Sequence, residues 1–67
     1  MNKLIVKSRD GCEYCDILFN TLDELEIKYT IDDNPANKVV PQVYLNDKLV
    51  FNGLPHMLDL LAFLNGL

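Results

Sequence analysis

Two cysteines, Cys12 and Cys15, lie three positions apart where an apolar segment gives way to an amphipathic one. At that spacing both sulfur atoms reach one face of a first helical turn. The free backbone N–H groups and the positive end of the helix dipole at this position favour a thiolate over a thiol. Because the thiolate is the nucleophilic form of cysteine, the pattern predicts dithiol–disulfide redox chemistry.

The cysteine pair also has other interpretations. These two are the only cysteines, and His56 is the only histidine. A structural pair of buried thiols is one alternative, although a lone pair in a reducing compartment is more often catalytic or metal-binding. A closed zinc site needs four ligands, which one chain cannot supply from cysteine and histidine alone. No metal is therefore expected in one chain, but a dimer bridged by an iron–sulfur cluster through Cys12 remains open.

Composition limits the class of protein. The 67 residues, 49% of them hydrophobic, predict a single domain over residues 1–67 with one small core. No apolar run approaches the length of a membrane span, and the apolar part of the N-terminus is too short for a signal peptide. These features predict a cytoplasmic protein that binds no membrane.

The charge of the chain is acidic, with a formal net charge of −4 and no cluster of lysine and arginine. Nucleic-acid binding needs a basic surface, so that class is excluded. Acidic residues gather around the first predicted helix, where they form a solvated face or attract a basic partner. They are Asp10, Glu13, Asp16, Asp23, Glu24 and Glu26.

Hydrophobic periodicity and turn residues predict the element order β-α-β-β-β-α. The strands are expected at Lys3–Ser8, Ile27–Asp32, Gln42–Leu45 and Lys48–Phe51, the last two joined by a turn at Asn46-Asp47. The helices are expected from Cys12 to Glu26 and from Pro55, with His56 at the helix start, to Gly66.

Apolar residues predict which faces are buried. Helical spacing assigns Ile17, Leu18, Leu22 and Leu25 to the inward stripe of the first helix, and Met57, Leu58, Leu61 and Leu64 to that of the second. Alternation in the strands puts Leu4, Val6, Val43 and Leu45 on one covered face, so both helices are expected there. Ile5, Tyr44 and Val50 are expected on the open face, which a monomer exposes and a weak dimer would cover.

The chain resembles the glutaredoxin family, within the thioredoxin fold. The matching segments are Ser8-Arg9-Asp10-Gly11-Cys12-Glu13-Tyr14-Cys15, the strand from Tyr29 to Asp33, Val39-Val40-Pro41-Gln42-Val43-Tyr44-Leu45-Asn46, and Gly53. They cover nearly the whole chain in the family's order. The resemblance implies a four-stranded mixed sheet with helices on one face, and a thiol–disulfide oxidoreductase that uses glutathione as reductant or co-substrate.

The resemblance also implies roles for individual residues. Cys12 is the expected nucleophile and Cys15 the thiol that resolves the mixed disulfide. Arg9 lies near the thiolate and the glycyl carboxylate of glutathione, and Tyr14 edges the ligand groove. The remaining expected contacts are a cis Pro41 that turns the backbone of Val40 toward the cysteines, and the N–H groups of Gly53 and Leu54. A disulfide-containing protein, with ribonucleotide reductase as the implied client, is the expected partner.

Three departures from the family pattern stand out. The usual helix between the second and third strands is missing, but eight residues can span up to about 26 Å, against roughly 10 Å for two strand spacings. Glu13 replaces the proline between the cysteines, and its carboxylate disfavours the Cys12 thiolate. Leu54-Pro55-His56 replaces the polar residues with which the family holds the γ-glutamyl end of glutathione.

A closely related alternative concerns the reductant. Redoxins of the ribonucleotide-reductase-donor type are similar to glutaredoxins but are recharged by thioredoxin reductase. The step Phe51-Asn52-Gly53-Leu54 is similar to the aromatic-x-Gly-apolar step of those proteins. The sequence therefore predicts the dithiol chemistry and leaves two possible sources of electrons.

Overall fold

A computed structural model describes residues 2–67 and contains six elements. They are β1 (Leu4–Ser8), α1 (Glu13–Glu24), β2 (Thr30–Asp33), β3 (Gln42–Leu45), β4 (Lys48–Asn52) and α2 (Met57–Asn65). The predicted order of elements is confirmed. Asn46 and Asp47 both adopt left-handed conformations between β3 and β4, as a two-residue hairpin turn requires.

The four strands form one mixed sheet in the order β2-β1-β3-β4. β1 is parallel to β2 and antiparallel to β3, and β3 is antiparallel to β4. The connection between β2 and β3 therefore crosses the end of β1, and it does so without a helix. Asn37 fastens this connection, because its Nδ2 donates to the carbonyl oxygens of Ser8, at 3.2 Å, and Asp32, at 3.0 Å.

Both helices pack on the same face of the sheet. One cluster of buried side chains joins the two helices to that face, and its members are Leu4, Val6, Leu18, Leu22, Val43 and Leu60. The opposite face is covered by no helix among the described residues. Lys7 Nζ lies 4.8 Å from the centre of the Tyr44 ring on that side, where Ile5 and Tyr44 line a shallow pocket.

The predicted inward stripe of α1 is correct for Leu18 and Leu22 and wrong for Ile17 and Leu25. Ile17 is 50% exposed, and Leu25 is exposed at the C-cap. Ile17 lies about 200° around the helix from Cys15, which is buried. The actual stripe therefore begins at Cys15, a residue that the sequence assigned to chemistry rather than to packing.

The predicted start of the second strand at Ile27 is wrong, because the end of α1 uses that backbone. Glu26 has a left-handed φ of 57°, and its N–H donates to the Asp23 carbonyl. The Ile27 N–H donates to the Leu22 carbonyl at 3.0 Å. This pair of bonds is a Schellman motif, so α1 ends at Glu24 and β2 begins only at Thr30.

Tyr29, which precedes β2, packs against the C-terminal half of α1. Its ring stacks on Phe19 with centroids 5.6 Å apart, and its hydroxyl donates to Asp23 Oδ1 at 2.9 Å. Burial, together with the hydrogen bond to Asp23 and the charge of that carboxylate, raises the pKa of the Tyr29 hydroxyl. The contacts of Tyr29 therefore link the end of α1 to the start of β2.

The predicted stripe of α2 also needs correction. Met57 and Leu58 are exposed, Leu58 by 71%, whereas Leu60 is buried and was not predicted. Phe63 and Leu64 pack with Leu60 against the core. Leu58 lies about 200° around the helix from Leu60, so it faces solvent.

The bounds of α2 differ slightly from the prediction. The helix begins at Met57 with His56 as its N-cap, so Pro55 lies just outside it, and Gly66 is the C-cap as expected. Neither helix in the described part of the chain has the length and apolar character needed to cross a bilayer.

Candidate redox site

The cysteine pair lies where the buried strand β1 runs into helix α1. Ser8 ends the strand in a buried position, and Asn37 holds its carbonyl from the neighbouring connection. Gly11 then turns the chain with a φ of +76°, a conformation that side chains with a Cβ rarely adopt. This turn brings Cys12 to the N-cap of α1 in an extended conformation.

Cys12 and Cys15 form a disulfide across the first turn of α1, with their Cα atoms 5.2 Å apart. Their environments differ: Cys15 is 1% exposed, whereas Cys12 is partly exposed. The Cys15 N–H donates to Cys12 Sγ at 3.0 Å. Cys12 also lines an open pocket and Cys15 does not, so an external molecule can approach the first cysteine and not the second, and a helix N–H already points at the Cys12 sulfur.

The connection before β3 brings a second backbone segment to the site. The Val40–Pro41 peptide bond is cis, as the resemblance implied, and Pro41 is buried. None of the backbone hydrogen bonds outside the helices and strands of residues 2–67 involves Val40. Its peptide groups are therefore free of such bonds where Val40 lines the pocket beside Cys12.

Gly53 is hydrogen-bonded to this segment. Its N–H donates to the Pro41 carbonyl at 2.8 Å, which ties the end of β4 to the start of β3. Gly53 has a φ of +106°, and a Cβ built on it would meet nothing within 4 Å. The need for glycine therefore comes from its left-handed backbone and not from crowding within the chain.

A pocket of about 490 Å³ opens beside the partly exposed Cys12. It brings together four of the residues predicted for the site, namely Arg9, Cys12, Tyr14 and Val40. Tyr14 contributes an aromatic side chain that is 62% exposed. The other lining residues are Asp10, Gly11 and Glu13.

The remaining predicted residues lie around this pocket rather than in it. Cys15 and Pro41 are buried neighbours in sequence of its lining residues, and neither they nor Gly53 and Leu54 line it. Leu54 is exposed, and the N-cap residue His56 makes no side-chain hydrogen bond to the start of α2. The segment before α2 therefore exposes an apolar side chain, at Leu54, directly after the glycine whose N–H donates to the Pro41 carbonyl.

Two residues of the site were missed by the sequence interpretation. Asp10 was named among the acidic residues and in the matching segment but was given no role in the site, yet it lines the pocket; its position two residues before Cys12 was the available clue. Asn37 positions the ends of β1 and β2, and no sequence pattern indicated this. Among residues 2–67, no group of three or more histidine, cysteine or acidic side chains is arranged to hold a metal ion.

Comparisons with protein-family models, with curated proteins and with solved structures found no significant match to this chain.

Proposed function

We propose that this chain is a glutaredoxin-like dithiol–disulfide oxidoreductase with a thioredoxin-like fold, which reduces disulfides of other proteins. The observation that carries the proposal is the asymmetry of the cysteine pair. Cys12 is reachable at the mouth of α1, and Cys15 is buried within bonding distance of it. A carrier of two electrons needs one sulfur that meets the substrate and a second that meets only the first.

The reaction consists of two exchanges. In the reduced protein, the Cys12 thiolate attacks one sulfur of the substrate disulfide, which forms a mixed disulfide and releases the first substrate thiolate to take up a proton. Cys15 then gives up its proton and attacks Cys12 Sγ, which forms the Cys12–Cys15 disulfide and releases the second substrate thiolate. The substrate gains two electrons and two protons. The cysteine pair supplies both electrons and the Cys15 proton, and the other proton, which Cys12 lost when it ionised, comes from the solvent.

The start of α1 supports the first exchange. The Cys15 N–H points at Cys12 Sγ, and a hydrogen bond to the charged form of a group stabilises that form. The dipole of α1 acts in the same direction. Both contributions favour the Cys12 thiolate in the reduced protein, whereas Glu13 opposes it.

The Val40 segment supports the binding of an extended substrate. A chain that lies along residues 39–41 can pair with the Val40 peptide groups as it would with the edge of a sheet. Such pairing recognises backbone rather than sequence, which suits an enzyme that acts on protein disulfides. Ribonucleotide reductase is the client that the family resemblance suggests.

Trapping the mixed disulfide tests the mechanism directly. Cys15→Ser cannot complete the second exchange, so we expect it to accumulate a covalent adduct with a disulfide substrate, visible as a mass increase at Cys12. Cys12→Ser should form no adduct and should have no activity. An adduct at residue 15 in Cys12→Ser, or full turnover by that variant, would refute the proposed roles.

The reductant is the second part of the proposal. Glutathione is the first candidate, because two glutathione molecules, each with one thiol, reduce the Cys12–Cys15 disulfide and leave glutathione disulfide. The segment before α2 lacks the polar residues with which the family holds glutathione: Leu54 is exposed there, and His56 makes no side-chain cap. This favours the second candidate, a flavoprotein reductase of the thioredoxin reductase type. Incubation of the oxidised protein with glutathione plus its reductase, and separately with thioredoxin reductase, distinguishes the two by which one restores the thiols.

A further inference from the structure

We infer that the pocket beside Cys12 selects substrates with basic residues next to their disulfide and disfavours anionic ones, free glutathione included. The inference rests on the proposed function, since it names the class of disulfide on which that chemistry acts. The redox disulfide is the feature that marks the pocket as a ligand site, and the charges around it determine the preference.

The charged side chains of the pocket come from one segment. Asp10 and Glu13 contribute two carboxylates, and Arg9 contributes one cation. Asp16 adds a third exposed carboxylate in the first turn of α1. A substrate residue beside the reacting sulfur therefore meets a net negative surface, in which Glu13 adjoins the nucleophile.

The other segments around the site change this balance little. Lys38, two residues before Val40, is exposed but does not line the pocket. The segment between β4 and α2 carries only His56 as a titratable side chain. Lys7, near the end of β1, extends over Tyr44 on the opposite face of the sheet.

Tyr14 strengthens the preference for a cation. Its ring lines the pocket and is largely exposed, so a lysine or arginine of the substrate can lie against it. Glutathione carries two carboxylates and one ammonium group at neutral pH. Only Arg9 among the lining residues offers it a compensating charge, so each of its carboxylates that enters the pocket also meets Asp10 and Glu13.

Helix stability gives a second reason for part of this charge. Acidic residues in the first turn of a helix interact favourably with its dipole, which accounts for Glu13 and Asp16. Asp10 lies two residues before the N-cap, outside the first turn of α1, so helix stability accounts for it less directly. The stabilising role predicts no dependence of activity on the charge of the substrate, so kinetics separate the two roles.

The experiment uses three peptide disulfides of identical length that carry lysine, glutamine or glutamate on both sides of the cysteine. We expect the second-order rate constant for a single oxidation of the reduced protein by each peptide to fall in that order, by about fivefold to tenfold from lysine to glutamate, the scale of a few exposed ion pairs. The ratio should shrink toward one as salt rises toward 1 M, where charges are screened within about 3 Å.

Matched variants assign the preference to the pocket. Asp10→Asn and Glu13→Gln should each reduce the lysine-to-glutamate ratio, and Asp10→Asn does so outside the helix. Glu24→Gln removes the same charge from the far end of α1 and should preserve the ratio. Arg9→Gln should increase the ratio.

The outcomes separate the two proposals. Equal rates on the three peptides, a reversed order, or a ratio unchanged in both Asp10→Asn and Glu13→Gln would overturn the charge preference while leaving the oxidoreductase intact. Reduction of none of the three peptides would overturn the proposed function itself. A fall with substrate charge that both pocket variants weaken and Glu24→Gln does not would support the inference.

Discussion

The two helices of this protein begin with similar backbone conformations, but different side chains occupy the two helix starts. Each is preceded by a left-handed glycine, Gly11 before α1 and Gly53 before α2, and each has an extended N-cap residue. At α1 the cap is Cys12, whose sulfur accepts a backbone N–H. At α2 the cap is His56, whose side chain accepts none.

The comparison shows that position at a helix start is not sufficient for chemistry. The first turn of α1 buries Cys15 under Cys12 and carries two carboxylates, whereas the first turn of α2 exposes Met57 and Leu58. Only the first arrangement supplies a reachable sulfur with a buried partner. The segment that leads into α2 has a supporting role instead, because the Gly53 N–H donates to the Pro41 carbonyl.

Serine substitutions at the two N-cap positions, Cys12 and His56, should give the largest difference in activity. Cys12→Ser should reduce disulfide reductase activity to the uncatalysed background, because a hydroxyl does not replace a thiolate in disulfide exchange. Serine is a favoured N-cap, so α1 should remain folded, with a far-UV circular dichroism spectrum like that of the reduced parent. His56→Ser should retain activity, and loss of activity in that variant would contradict the division of roles.

The two glycines provide the next largest effect. Gly11→Ala and Gly53→Ala should each lower the free energy of unfolding by about 1–2 kcal/mol, because their left-handed backbone disfavours a Cβ although the space for it is empty. Urea denaturation of the reduced protein measures this cost.

Gly66→Ala is the matched control for the two glycine variants. Gly66 has a right-handed conformation with φ −85°, and an added Cβ meets only ordinary contacts. This variant should leave stability unchanged or raise it by a few tenths of a kcal/mol. An equal loss in all three alanine variants would show that the left-handed backbone is not the cause.

His56→Ser should also sharpen the comparison through stability. A serine hydroxyl at the cap can accept from the Asp59 N–H while the Asp59 carboxylate reaches back to the backbone of residue 56. We expect a gain of about 0.5–2 kcal/mol, seen as a higher thermal midpoint. His56→Ala has no acceptor at the cap and should show no gain, and an equal rise in both variants would exclude capping as the reason.

Much of this arrangement could be predicted from local patterns. Alternation in β1 and β3 identified Leu4, Val6 and Val43 as buried, and turn residues located the hairpin at Asn46-Asp47. The cysteine spacing predicted that both sulfurs lie at one helix start. These features depend on residues that are close in sequence, so their physical cause is visible in a short segment.

The features that could not be predicted depend on contacts between distant segments. Ile17 and Leu58 fit a helical stripe as well as the true core residues do, and only the position of the sheet selects Cys15 and Leu60 instead. The bonds from Asn37 to Ser8 and Asp32 likewise need the strand order before they can be inferred. Asp10 is recognised as a site residue only once the pocket beside Cys12 is known.

The smallest expected effect concerns Glu13, the first residue of α1 and the neighbour of the nucleophile. Proline fits this first helical position, where its missing N–H has no intrahelical partner. Cys12, with φ −88° and ψ 102°, already has the extended backbone that a following proline requires. Glu13→Pro therefore removes a carboxylate beside the sulfur at little structural cost.

Glu13→Pro should lower the pKa of the reduced Cys12 by about half a unit to one unit, as expected for the loss of one partly screened negative charge nearby. Ultraviolet thiolate absorbance in a Cys15→Ser background reports this titration for Cys12 alone. Glu13→Gln separates the charge from the ring: an equal fall in both variants assigns the effect to the carboxylate, and a larger fall with proline adds a backbone contribution. An unchanged or higher pKa of Cys12 in both variants would contradict this prediction. The carboxylates at the start of α1 would then act on the substrate and not on the nucleophile.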